Sequence, residues 1–198
     1  MNSFENSLEY EKSQMERADR YYRSEGATLI TRFRWNDPVG RSLQQDDVDL
    51  MVEFDHDDHS VHISEKFRSE DHGDCMIELW SSFGDKTDGW AVRCFADVLY
   101  YFVPGGVYEV KDTDRLRTVA ECVRYQIDWD TINKNIGDRK FMVPEYAPLW
   151  NGSRLDKLRV YKSSSYRKDG SAWNGFCIVV PWDYFKIFEI PVEFHEFE

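Results

Sequence analysis

The sequence lacks a long apolar run, and its N-terminal residues are polar and acidic. A transmembrane helix needs about 18 or more consecutive apolar residues, and none are present. A secretory signal begins with basic residues and continues with an apolar stretch, which this N-terminus does not resemble. We therefore expect no membrane-spanning helix and a cytoplasmic location.

Cysteine is also scarce, with four residues in a chain of 198. No two of them form a CxxC pair, which argues against a zinc-ribbon type of metal site. A disulfide framework is not expected for a chain of this size in the cytoplasm. The sequence predicts mostly buried free thiols at Cys75, Cys94, Cys122 and Cys177.

Basic residues are fewer than acidic ones, 25 against 37, and the net charge is −12. This argues against a protein that coats nucleic acid, since phosphate binding requires neutralising Lys and Arg side chains. An acidic enzyme can still act on DNA if it has a local basic path and a metal ion beside its carboxylates. A content of 41% hydrophobic and 16% aromatic residues excludes global disorder.

Periodicity predicts a helix over residues 4–25 and a half-buried strand over 27–35, followed by a turn at 36–40. Two apolar segments, 48–54 and 61–67, flank a polar loop and predict a β-hairpin. The stretch 75–83 is a strand or a helix, because periodicity does not separate the two. Further predicted elements are a short helix and a strand within 90–103, a hairpin strand at 107–110, a helix over 112–126 and a strand at 176–180.

This order predicts an α/β fold, with α+β as the alternative, built on a mixed central sheet flanked by helices. No repeat and no clear domain boundary is visible, so we expect a single domain over 1–198. Residues 127–153 are irregular in pattern, and their Trp and Tyr content predicts that they pack onto that domain.

Charged residues interrupt the predicted hairpin, where an apolar pattern is otherwise maintained. Asp49 begins the first strand, Ser64-Glu65-Lys66 lies in the second, and Glu78 follows in the next element. Because side chains alternate along a strand, Ser64 and Lys66 share one face and Glu65 lies on the other. Two carboxylates and a lysine could hold a metal ion and orient a water molecule for phosphodiester cleavage. The alternative is that these are solvated or paired residues on strand edges.

Asp49, a hairpin, Ser64-x-Lys66 and Glu78 together resemble the PD-(D/E)xK nuclease superfamily, in its variant with Ser-x-Lys and a displaced second acid. The resemblance covers residues 4–110, and residues 111–198 would pack on that core. Val48 stands where the superfamily motif has proline.

The resemblance implies a restriction-endonuclease-like fold and Mg²⁺-dependent cleavage of DNA, with Mn²⁺ as an alternative ion. Asp49 and Glu78 would be the metal ligands and Lys66 the catalytic lysine. Ser64 would stand in place of the usual acid, and Glu65 would be a supporting group or an alternative acid.

Two further clusters stand out in the sequence. The histidines and aspartates of residues 55–62 are either a transition-metal site or, as we favour, a polar hairpin tip. A basic segment late in the chain is either a phosphate path or a solvated loop that offsets the acidic surface. Its candidate nucleic-acid-binding residues are Arg154, Lys157, Arg159, Lys162, Arg167 and Lys168.

Two other functions remain open from the sequence. A protein with the same fold and without catalysis would bind nucleic acid or a protein partner, and Ser64 in place of an acid makes this plausible. An acidic inhibitor that mimics DNA would instead bind a basic protein. Duplex-cutting enzymes often form homodimers, but no dimer signature is visible in the sequence.

Overall fold

The computed structural model describes residues 3–55, 59–127, 140–142, 159–166 and 172–198. In chain order its elements are α1 (Ser3–Ser24), β1 (Ala27–Arg32), α2 (Pro38–Gln45), β2 (Leu50–Phe54), β3 (Val61–Phe67), β4 (Asp74–Ser82), β5 (Thr87–Asp88), α3 (Trp90–Arg93), β6 (Val98–Val103), β7 (Gly106–Val110), α4 (Thr113–Gln126), β8 (Lys140–Met142), β9 (Arg159–Tyr166), β10 (Ala172–Pro181), α5 (Trp182–Ile187) and β11 (Val192–Glu196).

The chain divides into two compact units that are discontinuous in sequence. The first unit comprises Met1–His72, Phe95–Thr113 and Val192–Glu198. The second comprises Gly73–Cys94 and Asp114–Pro191. The segment 4–110 that resembles a nuclease core therefore draws residues from both units.

The first unit contains a six-stranded mixed sheet in the order β1-β2-β3-β6-β7-β11. Strands β3 and β6 pair in parallel, and the other neighbours pair antiparallel. Helix α1 covers one face, where its Tyr21 and Tyr22 pack against Leu50, Ile63 and Phe102. Alternation along each strand sends every second side chain into this core and the others to the opposite face.

The second unit contains an antiparallel sheet in the order β5-β4-β10-β9-β8. Its central strands β4 and β10 bury Ile77 and Leu79 against Phe176 and Ile178. Helix α4 buries one stripe, as the sequence predicts. Its buried apolar residues are Leu116, Val119, Ala120 and Val123.

The structure confirms the predicted fold class, with mixed and antiparallel sheets accompanied by five helices in the described residues. Both hairpins are confirmed, β2 with β3 and β6 with β7. The stretch 75–83 is resolved as a strand, since β4 covers almost all of it. Most of the irregular segment 127–153 lies outside the described residues, although β8 falls within it.

One local prediction was wrong. Residues 36–40 are not only a turn, because helix α2 begins at Pro38. The Asp37 side chain accepts a hydrogen bond of 2.6 Å from the Gly40 backbone N–H and so caps this helix. Asp at the N-cap followed by Pro at the first helical position is a recognised start signal that outweighs the turn pattern.

No helix in the described ranges has the length and apolar character that crossing a membrane requires. All four cysteines are free thiols, and Cys75, Cys94 and Cys177 are buried. This confirms the expectation from their spacing in the sequence.

Candidate functional site

The hairpin of β2 and β3 brings Asp49, Ser64 and Lys66 to one face of the mixed sheet. Leu50 pairs with Ile63 in the register, so Asp49, which directly precedes β2, lies beside the second half of β3. The backbone N–H of Asp49 donates to the Ile63 carbonyl at 2.8 Å, which holds the two chains together there. The face predicted from strand parity is therefore formed.

Asp47 completes this cluster, although the sequence analysis did not select it as a site residue. Its Oδ2 accepts a hydrogen bond of 2.6 Å from the Ser64 hydroxyl, and its Oδ1 accepts one of 2.9 Å from Lys66 Nζ. Lys66 Nζ also donates to Ser64 Oγ at 2.9 Å. Asp47, Ser64 and Lys66 are thus each hydrogen-bonded to the other two, and Ser64 is fully buried.

The turn that ends α2 places the Asp47 carboxylate. The Val48 N–H donates to Leu43 O and the Asp47 N–H to Gln44 O, the two bonds of a Schellman motif. Asp47 occupies the left-handed position of that motif, with φ of 55°, where glycine is usual. A non-glycine residue at this position is a signal that the side chain is needed, because the conformation is unfavourable for most L-residues.

Asp49 is the more accessible carboxylate of the cluster, with about a third of its side chain (32%) exposed. Its Oδ2 accepts a hydrogen bond of 2.8 Å from the Glu65 N–H and lies 3.7 Å from Lys66 Nζ. The surrounding protein atoms raise the pKa of Asp49 from 3.8 to about 6, Lys66 opposes this shift, and the negative charge of Asp47 adds to it. A cation bound at Asp49 would relieve that unfavourable environment.

The Glu65 side chain lies on the opposite face of β3, against α1. It accepts a hydrogen bond of 2.9 Å from the Tyr22 hydroxyl and one of 2.6 Å from Arg32 Nη1, and Arg32 also pairs with Asp19 at 2.7 Å. The Glu65 side chain is 3% exposed. The burial of Tyr22, together with the negative charge of Glu65, raises the pKa of Tyr22 well above its usual range. The structure thus brings only the Glu65 backbone N–H, and not its carboxylate, to Asp49.

Glu78 belongs to the second unit, where it lies on β4 opposite Cys177 of β10. Its Oε2 accepts a hydrogen bond of 3.2 Å from the Trp90 backbone N–H at the start of α3. The prediction that Glu78 is a metal ligand remains a prediction, and the carboxylate that joins Asp49 in the first unit is Asp47.

Two of the six basic candidates are described, both on β9. Arg159 lies 3.4 Å from the buried carboxylate of Asp74, so part of its charge is used within the second unit. Lys162 pairs in register with Phe176. The remaining candidates, Arg154, Lys157, Arg167 and Lys168, lie outside the described residues, as do residues 56–58 of the histidine-rich loop.

A second group of potential ligands is present where β7 pairs with β11. Ligand atoms of Glu109, Glu193 and His195 lie within 4.8 Å of one another. His195 Nε2 is 2.8 Å from Glu109, and Lys111 Nζ is 2.9 Å from Glu193 and 3.6 Å from Glu109. The lysine therefore already supplies a cation to this group.

The donors around Asp49 fit Mg²⁺ better than a softer ion, because they are carboxylate oxygens. Mg²⁺ in enzymes that act on phosphates is held by one or two carboxylates and completes its coordination with water and substrate. Asp49 would be the principal ligand, with Asp47 adjacent to it. Both Asp47 oxygens already accept hydrogen bonds, and each retains a further lone pair.

We compared the chain with known protein families, curated proteins and solved structures. No family model, no curated protein and no solved structure matches it significantly. The resemblance to PD-(D/E)xK nucleases therefore depends on the residues and their geometry alone.

Proposed function

We propose that this protein is a metal-dependent nuclease that hydrolyses phosphodiester bonds of DNA, with Asp49, Asp47 and Lys66 at its active site. One observation carries the proposal. Lys66 Nζ lies 2.9 Å from Asp47 and 3.7 Å from Asp49, on the face of the hairpin where the resemblance expects a carboxylate and a lysine.

The roles of the side chains follow from their surroundings. Asp49 is partly open to solvent and would bind the ion, and Lys66 would orient the attacking water or stabilise charge on the phosphate. Asp47 and Ser64 hold the Lys66 ammonium in place through their hydrogen bonds. A bound Mg²⁺ supplies polarisation of the scissile phosphate. Ser64 is fully buried, which assigns it to positioning Lys66 and not to nucleophilic attack.

The proposal includes a cytoplasmic location, which agrees with the four free thiols. Sulfhydryl groups persist in reducing compartments, whereas secreted proteins of this size commonly pair them.

Cleavage of both strands of duplex DNA would require one active site at each strand, which a homodimer would provide.

A second candidate is a protein of the same design that binds DNA without cutting it. It is favoured by the hydrogen bonds of Asp47, whose two oxygens each already accept one from a neighbouring side chain. In that reading the triangle of Asp47, Ser64 and Lys66 is a structural element that fastens the end of α2 to β3.

Cleavage assays separate these candidates. Purified protein would be incubated with supercoiled, linear and single-stranded DNA in the presence of Mg²⁺, Mn²⁺ or EDTA. We expect metal-dependent cutting that falls about 10²-fold or more in Asp49→Asn and in Lys66→Met, the size of effect typical for loss of a group acting on the transition state.

The matched control is Glu53→Gln, an exposed residue of β2 on the side that strand alternation gives to Asp49, which directly precedes the strand. It should cut as the wild type does. The melting temperature of each variant, compared with that of the wild type, tests whether the fold is retained. Absence of cutting under every condition, or cutting that survives both Asp49→Asn and Lys66→Met, overturns the proposal.

A further inference from the structure

The segment between β1 and α2 exposes a large aromatic side chain beside two arginines. Trp35 is 58% exposed, and the Arg41 guanidinium lies over its ring at 5.7 Å from the centroid. Arg41 Nε also donates to the Trp35 carbonyl at 3.1 Å. Arg34 precedes the tryptophan and is exposed as well. We call Arg34, Trp35 and Arg41 the Trp35 platform.

The platform is built on a fixed backbone. The Asp37 N–H donates to the Arg34 carbonyl at 3.1 Å, and the Asp37 carboxylate caps α2. Gly40 packs so closely on Arg34 that a Cβ there would meet the Arg34 carbonyl oxygen at 2.6 Å. The backbone on both sides of Trp35 is thus fixed by local hydrogen bonds and close packing, and its indole is exposed. A large exposed aromatic on a fixed backbone is typical of recognition surfaces.

The platform is also connected to the candidate site at both ends. The Phe33 N–H donates to the Asp49 carbonyl at 3.0 Å. Trp35 follows two residues after Phe33, and two residues of chain span at most about 7 Å. At the other end, α2 leads directly into Asp47. A ligand that contacts Trp35 therefore lies beside a segment whose two ends contact or adjoin the candidate site, at Asp49 and at Asp47.

A groove of about 410 Å³ continues from the platform along the edge strand β1. The charged residues that line it are Arg34, Arg23, Arg32 and Asp19. Arg32 is paired with Glu65 and Asp19, whereas the guanidinium groups of Arg23 and Arg34 add positive charge to the groove. The protein as a whole has a net charge of −12, so these arginines beside an exposed tryptophan form a basic patch on an acidic protein. Such a patch would attract an anionic ligand to this part of the surface.

We propose that the Trp35 platform binds an unpaired base of single-stranded DNA, which stacks on the indole, while Arg34, Arg41 and Arg23 contact the adjoining phosphates. Stacking on aromatic side chains combined with arginine contacts is the general mode of single-strand binding. Duplex DNA presents its phosphates but keeps its bases stacked on each other. The proposal rests on the proposed function, because it takes the substrate to be DNA and names its form.

The test is binding of labelled oligonucleotides in EDTA, followed by fluorescence anisotropy, so that cleavage plays no part. The probes are oligothymidylate and an abasic oligonucleotide of equal length, which carries the same phosphates without bases. Wild type should prefer oligothymidylate. Trp35→Ala should weaken that binding about tenfold and remove the preference, and Trp35→Phe should retain part of it.

Arg41→Gln and Arg34→Gln should weaken the binding of both probes equally and reduce the dependence on salt. The matched control is Tyr125→Ala, an aromatic residue of the second unit that is 89% exposed, and it should bind as the wild type does. Equal affinity of the wild type for both probes, or an unchanged affinity in Trp35→Ala, overturns the proposal. Absence of binding to either probe overturns it too.

The outcome is separable from that of the cleavage assay. If DNA is cut but Trp35→Ala binds and cuts normally, the platform fails and the nuclease stands. If Trp35-dependent binding is present and no metal supports cutting, the nuclease fails and the chain is a single-strand binding protein.

Discussion

The Asp47 carboxylate accepts a hydrogen bond of 2.9 Å from the Lys66 ammonium, although the Asp47 backbone is in the left-handed conformation with φ of 55°. Glycine would adopt this conformation without a steric penalty, and aspartate tolerates it better than most residues. The position therefore favours glycine for the backbone and aspartate for the side chain. The carboxylate links the end of α2 to β3, and this connection determines where the ammonium lies.

Replacing Asp47 should separate these two contributions. Asp47→Gly relieves the backbone but removes the carboxylate that accepts from both Ser64 and Lys66, so we expect a net loss of about 1–3 kcal/mol in the free energy of unfolding. Asp47→Asn retains an acceptor for Ser64 and should lose less. Urea denaturation measures both, with the exposed neighbour Asp46→Asn as control. A glycine variant more stable than the wild type would show that the carboxylate does not stabilise the fold.

The raised pKa of Asp49 predicts a pH dependence of stability. The folded protein holds this proton up to about pH 6, whereas the unfolded chain releases it near its ordinary pKa of 3.8. Between these values the folded state binds more protons, so the contribution of Asp49 to stability falls as pH rises and is constant above about pH 6.

Asn cannot ionise, so Asp49→Asn should gain stability relative to the wild type as pH rises through this window. Urea denaturation from pH 4 to pH 7.5 would measure the difference between the two proteins. Asp46→Asn serves as the control for the substitution itself. A difference between Asp49→Asn and wild type that does not change with pH would contradict the raised pKa.

Metal binding at Asp49 should be visible without any cleavage. A ligand at about ten times its dissociation constant stabilises the folded state by about 1.4 kcal/mol. For a chain of this size that corresponds to a rise of about 3–6 °C in melting temperature. Above pH 6 we expect Mg²⁺ to raise the melting temperature of wild type and of Glu53→Gln, and not of Asp49→Asn. An equal rise in all three would place the ion elsewhere.

The buried network of Glu65 predicts a structural role for that side chain. Glu65→Gln leaves Arg32 without its closest carboxylate and should lower the free energy of unfolding by about 2–4 kcal/mol. Cleavage by the folded fraction should remain within a few-fold of the wild type, since the carboxylate lies on the α1 face of β3. Denaturation and cleavage measured on the same preparations test both statements. Loss of cleavage at unchanged stability would instead make Glu65 a catalytic residue.

Tyr22→Phe isolates one bond of the same network. Its hydroxyl donates to Glu65 Oε1 at 2.9 Å in the core, so its removal should lower the free energy of unfolding by about 1.5–3 kcal/mol. Tyr21→Phe is the matched control, because in the described residues its hydroxyl makes no hydrogen bond. Equal effects of the two substitutions on urea denaturation would show that the bond to Glu65 contributes nothing.

Local patterns in the sequence were sufficient for several parts of the structure. The alternation in 61–67 predicted β3 and placed Ser64 and Lys66 on a common face, because side chains on a strand have a period of two. Helix α1 and the hairpins followed from periodicity and turn residues. Helix α2 is also encoded locally, since Asp37-Pro38 is a helix start, although the neighbouring Asn36 and Gly40 are typical of a turn.

The sequence by itself determined five of the six strands of the mixed sheet, all but β11, as well as the face shared by Asp49, Ser64 and Lys66 and the free state of the cysteines. Only the tertiary structure decided that Asp47 joins this face, that Glu65 pairs with Arg32 and Tyr22 across to α1, and that Trp35 remains exposed. The reason is physical: periodicity reports which side of one element a residue occupies, whereas these relationships depend on contacts between elements distant in the chain. Pairing of β4 with β10, which positions Glu78 opposite Cys177, likewise joins segments that no local pattern connects.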